Sequence, residues 1–168
     1  ILNIHMENIE YTNLENVLNK YVNELEGLLK NNALKYKASG ELYETIEVKV
    51  EKLGVQWKVQ IDLTDYYYYL ANGRKAGKPA PSGKILKWIK NKKILPRDKK
   101  TGKFMKVQTL AYIISRSIGK KGTKGKGDFV AKWTKEMNKK YKLDIQKAIQ
   151  KDINKFVFDI DSLSNYTF

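Results

Sequence analysis

Two runs of alternating apolar and polar residues, separated by a glycine, constrain the fold of this 168-residue chain more than any other feature. Residues 45–50 form the first run, and residues 55–63 form the second run after Gly54. The apolar positions of the two runs are Ile46, Val48, Val50, Val55, Trp57, Val59, Ile61 and Leu63. Period-two alternation around a glycine turn is typical of an antiparallel hairpin with one buried face. The sequence therefore predicts a β-hairpin, followed by a further strand, within residues 41–70.

Helical periodicity flanks this predicted hairpin. Thr12 and Glu15 have capping-box spacing, and apolar residues then recur every three or four positions, which predicts a helix over 13–30. Comparable patterns predict helices over 82–93 and 107–118, and a C-terminal helical region over 128–156 with a break near Lys142. The tail, 157–168, is predicted as a strand or an arm. Together these elements predict a single α+β domain over 1–168, with N-terminal, central and C-terminal helices packed on an antiparallel β-sheet.

Positive charge is concentrated in one part of the chain. Of the 33 Lys and Arg residues, 23 lie within residues 74–142, where only three acidic residues occur, a balance of +20. Within this stretch, residues 94–106 are predicted to be an exposed basic loop and residues 119–127 a flexible cationic loop. Such a field attracts nucleic acid, a membrane surface or an acidic protein ring. Because only three basic residues are Arg, which reads guanine edges, sequence-specific DNA recognition is disfavoured.

Residues suited to catalysis or metal binding are scarce. The chain has no Cys, which excludes disulfides, thiolate nucleophiles and Cys-based zinc sites. His5, the single histidine, has no recognisable partner for a catalytic triad or a His-ligated metal. Glu47 with Glu51, and Asp159 with Asp161, are predicted to be solvated acidic pairs. We therefore predict no catalytic residue, no metal site and no cofactor.

A phosphate-binding loop and a membrane segment are not predicted either. Gly122 and Gly127 have the Walker glycine spacing, but Asp128 stands where that pattern requires Lys, and a predicted helix precedes the loop instead of a strand. No apolar run approaches the roughly 20 residues that cross a bilayer. The first residues lack the pattern of a signal peptide.

Four consecutive tyrosines, residues 66–69, follow the hairpin. In a strand, neighbouring tyrosines point to opposite faces, so two would be buried and two would form an exposed interface patch. Stacking on nucleic-acid bases is the alternative use of such a run. After it, Gly73 allows a sharp reversal, and Pro79 and Pro81 stiffen the approach to the helix that begins at Ser82.

Residues 66–94 resemble the central signature of small tailed-phage neck proteins of the tail-completion, or head–tail connector, family. The shared features are a strand ending in tyrosine, an Asn-Gly-Arg turn at 72–74, the Gly-Lys-Pro-Ala-Pro segment at 77–81, and a helix with the pair Trp88-Ile89. Residues 110–129 add a helix, then Gly-Thr, a basic stretch and Phe129. The resemblance covers about residues 40–130. The loop at 94–106 and the C-terminal helical region are not features that map onto this family.

The resemblance implies a structural virion protein, not an enzyme, made in the host bacterial cytoplasm and located in the virion neck. It implies a homo-oligomeric ring of six or twelve subunits between the portal-side and tail-side proteins, with packaged DNA as a further partner in the channel. Under this hypothesis the subunit interface comprises Tyr66, Tyr67, Tyr68, Tyr69, Gly73, Arg74, Gly77, Pro79, Pro81 and Trp88. The residues expected to contact an acidic partner or DNA are Lys99, Lys100, Lys103, Lys120, Lys121, Lys124 and Lys126.

The same lysines also support a different class of function. A nonspecific nucleic-acid-binding protein would use the +20 stretch without forming a ring. A metal-dependent nuclease with dispersed carboxylates is a third hypothesis. Submicromolar binding of a duplex or a single strand at physiological salt would favour the second hypothesis, whereas weak binding that disappears near about 0.15 M salt would favour the neck hypothesis. Metal-dependent DNA cleavage would favour the third.

Overall fold

The computed structural model describes residues 10–36, 41–54, 56–98 and 100–164. His5, Val55, Lys99 and the end of the predicted tail lie outside these residues. The elements follow in the order α1 (Thr12–Leu34), α2 (Glu41–Thr45), β1 (Glu47–Leu53), β2 (Gln56–Asp62), α3 (Asp65–Asn72), β3 (Gly73–Arg74), α4 (Ser82–Asn91), α5 (Val107–Lys121), β4 (Thr123–Lys124) and α6 (Phe129–Ser164). Helices combined with small antiparallel sheets confirm the α+β class.

Two compact units divide the chain, and neither is continuous in sequence. The helix–hairpin unit comprises the residues before Lys30, then Glu47–Asp62, and the residues from Val130 onward. The basic unit comprises Lys30–Ile46 and Leu63–Phe129. The assignment of all elements to a single domain stays a prediction.

The predicted β-hairpin is confirmed. Strands β1 and β2 pair antiparallel, with Glu47 opposite Asp62 and Leu53 opposite Gln56, so two residues form the turn. Gly54 occupies the first turn position with φ +61°, which suits a tight hairpin. On one face Val48 lies opposite Ile61, and Val48 is buried. The alternation corresponds to buried and exposed positions over residues 46–49, whereas residues 59–62 of β2 are all half-buried.

Helix α1 supplies most of the core of the helix–hairpin unit. Within this unit its buried residues recur at three- and four-residue intervals and are Leu14, Leu18, Tyr21, Val22, Leu25 and Leu29. Burial of each such leucine contributes about 1.5–3 kcal/mol before the entropy of ordering is subtracted. The ring of Tyr21 meets that of Tyr141 of α6 edge-on at 5.5 Å. Its hydroxyl donates to Asn138 Oδ1 at 2.7 Å, which joins the two helices.

Two glutamates of α1 bind other elements of this unit. Glu26 Oε2 accepts a hydrogen bond from Val48 N at 3.0 Å, which ties β1 to the helix. Glu24 accepts hydrogen bonds from Lys140 and Tyr141, and these lower the pKa of its carboxyl. The hydrogen bond between the Tyr141 hydroxyl and Glu24, together with burial, raises the pKa of Tyr141 to about 12. The stabilisation linked to Tyr141 is therefore present below its ordinary pKa of 10.0 and is lost as the pH rises through about 12.

The prediction of a strand over the tyrosine run is wrong, because residues 65–72 form helix α3. Tyr67, Leu70 and Ala71 are partly or fully buried, a spacing of three and four, while Tyr66, Tyr68 and Tyr69 are exposed. Asp65 in the first turn has the charge that a helix N-terminus favours. Four identical residues carry no periodicity, so this run could not distinguish a strand from a helix.

The C-terminal prediction is also corrected, because α6 continues without a break from Phe129 to Ser164. Its inward positions cross Lys142 at helical spacing: Met137, Tyr141, Ile145, Ala148, Asp152 and Phe156 are partly or fully buried. Asp152 is a carboxylate at one of these inward positions, so a pattern that counts only apolar residues is interrupted at residue 152. The strand or arm predicted from 157 onward is helical as far as Ser164.

Asp152 caps helix α1 from a distant part of the chain. Its side chain is 1% exposed. Oδ1 accepts hydrogen bonds from Asn13 N at 2.9 Å and Asn13 Nδ2 at 2.6 Å, and Oδ2 accepts from Leu14 N at 2.9 Å. The first N–H groups of a helix have no partner within the helix, and a carboxylate satisfies both their hydrogen bonding and the helix dipole. A buried charge is therefore compensated at this position.

Replacing Asp152 with Ala should lower the free energy of unfolding by about 3 kcal/mol, because buried donors of α1 would lose a charged acceptor. Urea denaturation followed by circular dichroism measures this change. The matched control is Asp144→Ala, at an exposed position of the same helix, for which we expect a change of at most about 0.5 kcal/mol. Similar losses in the two variants would contradict the capping role of Asp152.

Candidate functional site

Two segments that are far apart in sequence pair within the basic unit. Strand β3 pairs antiparallel with β4, so that Gly73 lies opposite Lys124 and Arg74 lies opposite Thr123. Hydrogen bonds extend this pairing in both directions, from Lys126 N to Leu70 O at 2.8 Å and from Gly77 N to Gly119 O at 2.7 Å. We call residues 70–77 and 119–127, which these bonds join, the paired segments. They belong to the two stretches, 66–94 and 110–129, that carry the family resemblance.

The glycines of the paired segments allow their backbones to touch. A Cβ atom on Gly73 would lie 2.3 Å from Thr123 O, and one on Gly122 would lie 2.2 Å from Arg74 O. A Cβ on Gly125 would lie 2.2 Å from Ala71 O. The prediction of a flexible loop over 119–127 is therefore wrong for its paired residues. Glycine occurs there because another backbone approaches closely, which sequence composition cannot separate from a need for flexibility.

Helix α5 holds the proline-containing segment by a stripe of small residues. Ala111, Ser115 and Gly119 recur every four positions and are all buried. Ser115 Oγ donates a hydrogen bond to Ala80 O, and a Cβ on Gly119 would lie 3.0 Å from Pro79. Gly119 thus lies inside α5, which ends at Lys121 with Gly122 as its C-cap, and the helix predicted over 107–118 is three residues longer than expected. The stripe was missed because Ser and Gly interrupt an apolar pattern, although their four-residue spacing was visible.

Apolar packing between α4 and α5 completes the support for this segment. Ile85 and Ile89 of α4 are buried against Ala111 of α5. The residues packed around them are Ala80, Leu86, Ile94, Val107, Leu110, Ile114 and Ile118. Trp88 precedes Ile89 on α4 and is 39% exposed. The helix pair therefore fixes the segment while it leaves a tryptophan at the surface.

The predicted interface residues divide into exposed and internal ones. Tyr66, Tyr68 and Tyr69 are exposed, as are Gly77, Pro79, Pro81 and Trp88. Gly73 is buried in the paired segments, and Arg74 donates from Nη2 to Lys78 O at 2.9 Å. Tyr67 is half-buried, donates its hydroxyl to Asp128, and meets Phe129 edge-on at 5.2 Å. Tyr67 and Gly73 hold the unit together, and the exposed aromatic side chains remain as candidates for contact with a partner.

A second candidate surface is a short turn of chain between α4 and α5. We call residues 94–98 and 100–106 the basic finger. Arg97 and Phe104 form an antiparallel bridge, and Met105 N donates to Pro96 O at 3.1 Å. Asp98 N donates to Lys103 O at 2.9 Å. The predicted exposed loop is therefore a hairpin-like turn with an ordered backbone, while most of its side chains are exposed.

Asp98 closes the tip of the basic finger. Its Oδ1 accepts hydrogen bonds from Lys100 N at 2.9 Å, Thr101 N at 2.8 Å and Thr101 Oγ1 at 3.1 Å. The backbone bond from Thr101, followed by that from Lys100, lowers the pKa of the Asp98 carboxyl. The resulting stabilisation of the turn is present above the ordinary pKa of Asp and is lost as the pH falls through the lowered value. The Asp98 carboxylate therefore accepts hydrogen bonds from the backbone of the finger itself.

The basic unit has few acidic residues to neutralise its lysines. Residues 66–127 contain 18 Lys or Arg and a single acidic residue, Asp98. Among the described residues of this stretch, no Lys or Arg forms an ion pair with a carboxylate. The predicted contact residues Lys100, Lys103, Lys120, Lys121, Lys124 and Lys126 are all exposed, and Lys99 is outside the described residues. The positive charge of the described residues of 66–127 is therefore available to a partner.

The acidic pairs weighed from the sequence do not converge. Glu47 pairs with Lys49 at 2.8 Å, and Glu51 pairs with Lys58 at 3.8 Å. The side chain of Asp161 is outside the described part of the chain. Within that part, no cluster of three or more acidic or histidine side chains could hold a metal ion. In the same residues, no helix has the length and apolar character needed to cross a membrane.

Comparisons of the chain with protein-family models, with curated proteins and with solved structures found no match.

Gly122→Ala and Gly102→Ala form a matched pair, because both glycines have φ +68°. An added Cβ meets Arg74 O at 2.2 Å in the first case and nothing within 4 Å in the second. We expect Gly102→Ala to cost about 1 kcal/mol of folding free energy, from its backbone conformation alone. Gly122→Ala should cost about 3 kcal/mol or more, since the paired segments must also separate. Urea denaturation of both variants measures the difference, and equal costs would contradict the close approach.

Proposed function

We propose that this chain is a structural component of the neck of a tailed phage, part of a ring between portal and tail that assists head–tail joining or tail completion. One observation carries most of the proposal. The two stretches that resemble the neck family, 66–94 and 110–129, are separated in sequence but joined through the paired segments. Chance similarity of two short motifs would not require them to form one structural feature. Their pairing therefore supports a shared origin with the family.

The exposed aromatic side chains support a role in subunit contacts. The side chains of Tyr66, Tyr68 and Tyr69 on α3 are exposed, and the rings of Tyr68 and Tyr69 meet edge-on with centroids 5.7 Å apart. Large, partly rigid aromatic side chains are enriched in protein interfaces because they bury much area at low entropic cost. In the proposed ring each subunit contacts the next head-to-tail, and the closed ring of six or twelve copies docks on the neighbouring neck proteins. The mechanism is geometric and involves no bond chemistry.

The paired segments place four of the predicted contact lysines on one short stretch of backbone. These are Lys120, Lys121, Lys124 and Lys126. Because the backbone around them is held by β3, the lysines are presented from an ordered strand and helix end. In the proposed neck they face an acidic partner surface or packaged DNA.

Changing Lys120, Lys121, Lys124 and Lys126 together to Glu should reduce head–tail joining or DNA retention by about tenfold or more, because like charges would then face the partner. The count of complete, DNA-filled particles in a complementation assay measures the effect. The control changes the exposed residues Lys139, Lys142, Lys147 and Lys151 of α6 to Glu, with the same change in net charge. Both variants must show wild-type circular dichroism. Normal particles from the first variant would contradict the proposed role of these lysines.

Quantitative mass spectrometry of purified particles tests the proposal as a whole. The particles are those produced by the genome that encodes this chain. We expect the protein at a fixed, low copy number relative to the major capsid protein, as a ring of six or twelve copies requires. Its presence in infected cells together with its absence from particles would contradict the neck assignment.

A further inference from the structure

The distribution of ion pairs differs between the two units. The ion pairs with described partners, such as Lys140 with Glu24 and Lys155 with Glu10, lie in the helix–hairpin unit. Over residues 66–127 of the basic unit, described Lys and Arg side chains have no carboxylate partner, and Asp98 is occupied by the finger's own backbone. Repulsion among 18 like charges in this short stretch is unfavourable in the isolated protein. A polyanion that binds there gains Coulomb energy without displacing an internal partner.

The basic finger adds ordered geometry to this charge. Bonds to Asp98 fix the backbone of Lys100 and Thr101, so the tip lysines project from a defined turn. The guanidinium of Arg97 lies 4.3 Å from the ring centroid of Phe104, a cation–π contact across the antiparallel bridge. Phe104 is 65% exposed. The finger therefore combines three kinds of exposed group: ammonium, a ring-stacked guanidinium, and an aromatic surface.

We propose that the basic finger binds the phosphodiester backbone of nucleic acid, with Arg97, Lys100 and Lys103 on the phosphates and Phe104 against the adjacent sugar or base. Nucleic acid as the partner of the basic surface deepens the proposed function. Binding by the finger does not require a ring. The planar guanidinium of Arg97, held over the ring of Phe104, presents paired donors that match phosphate oxygens. The predominance of Lys makes the binding independent of base sequence.

An acidic protein segment fits these observations less well than nucleic acid. Duplex DNA carries about one negative charge per 1.7 Å of its axis, a density that suits many unpaired lysines. Cationic grooves with exposed aromatic side chains are also the usual means of holding single strands, where a base stacks on the ring. An acidic peptide has no obligatory flat surface beside its charges, so it gives Phe104 no defined role. The exposed ring beside the cations therefore favours nucleic acid.

Fluorescence anisotropy with the full chain tests this inference. The probes are a labelled oligothymidine of about 20 nucleotides and a labelled duplex of about 20 base pairs, titrated from about 50 to about 200 mM salt. Lys100→Ala/Lys103→Ala should weaken binding about tenfold at low salt and reduce the slope of log K against log salt by about 1–2. This variant keeps the finger intact, because both residues contribute only backbone atoms to its hydrogen bonds. Binding of either probe with this response supports the proposal, and the ratio of their affinities identifies the preferred strand form.

Phe104→Ala tests the aromatic contact separately. We expect a loss of about fivefold or more with a nearly unchanged salt slope, because the ring carries no charge. The controls are Lys139→Ala/Lys151→Ala, at exposed positions of α6, and Phe158→Ala, whose ring is 73% exposed on the same helix. Both should bind like the wild type.

Three results would overturn the inference: no binding at about 50 mM salt, equal losses in finger and control variants, or displacement by polyglutamate as effective as by unlabelled nucleic acid. The last result would assign the finger to an acidic protein. The inference and the neck proposal can fail independently. Finger-dependent binding by a protein that is absent from particles would leave only the inference, and particles that contain a non-binding protein would leave only the neck proposal.

Discussion

The basic unit depends on the contact of two backbones along the paired segments. Here Gly73, Gly122 and Gly125 have no room for a side chain, because carbonyl oxygens of the opposite segment lie where a Cβ would be. This approach brings the end of α3 beside the end of α5, and hydrogen bonds from Lys126 N and Gly77 N extend it on both sides. At the end of α5 the same helix also contacts the proline segment, through Ser115 and Gly119.

Polar side chains make several long-range connections within each unit. In the helix–hairpin unit Asp152 caps α1 and Glu26 holds β1, while in the basic unit Ser115 binds the carbonyl of Ala80. Each joins segments that are distant in sequence by satisfying a backbone group that lacks a partner in its own element or loop. Such contacts select one arrangement of the packed elements, because a buried polar atom without a partner costs about 1–3 kcal/mol.

The two units differ in the partners of their charged side chains, and this difference bears on function. In the helix–hairpin unit, Glu24 binds a lysine, and Glu26 and Asp152 bind backbone N–H groups of that unit. In the basic unit the acid of the finger, Asp98, shapes a turn, and the described lysines of the finger, Lys100, Lys103 and Lys106, have no carboxylate partner. An arrangement of this kind does not add to the stability of the isolated unit. It is the arrangement expected where the charge serves binding, to a ring partner or to nucleic acid.

Sequence patterns predicted the elements whose cause is local. Alternation on either side of Gly54 determined the hairpin, and helical periodicity determined α1, α4 and the existence of α5 and α6. The same reasoning identified the tyrosine run, the proline segment and the lysines as one set of candidate residues. It did not separate Tyr67 and Gly73, which are internal, from their exposed neighbours.

Tertiary structure decided what no local pattern contains. A run of four tyrosines has no period, so its sequence favours neither a strand nor a helix. In the structure the run forms helix α3, and Tyr67 packs against Phe129. A buried aspartate in α6 is favourable only because the N-terminus of α1 lies beside it. A glycine-rich stretch has the same composition whether it is mobile or packed against another backbone, and the partner segment lies about fifty residues away in sequence. The sequence by itself therefore determined the local elements and the charge, whereas long-range contacts decided which residues are internal and which are free to bind.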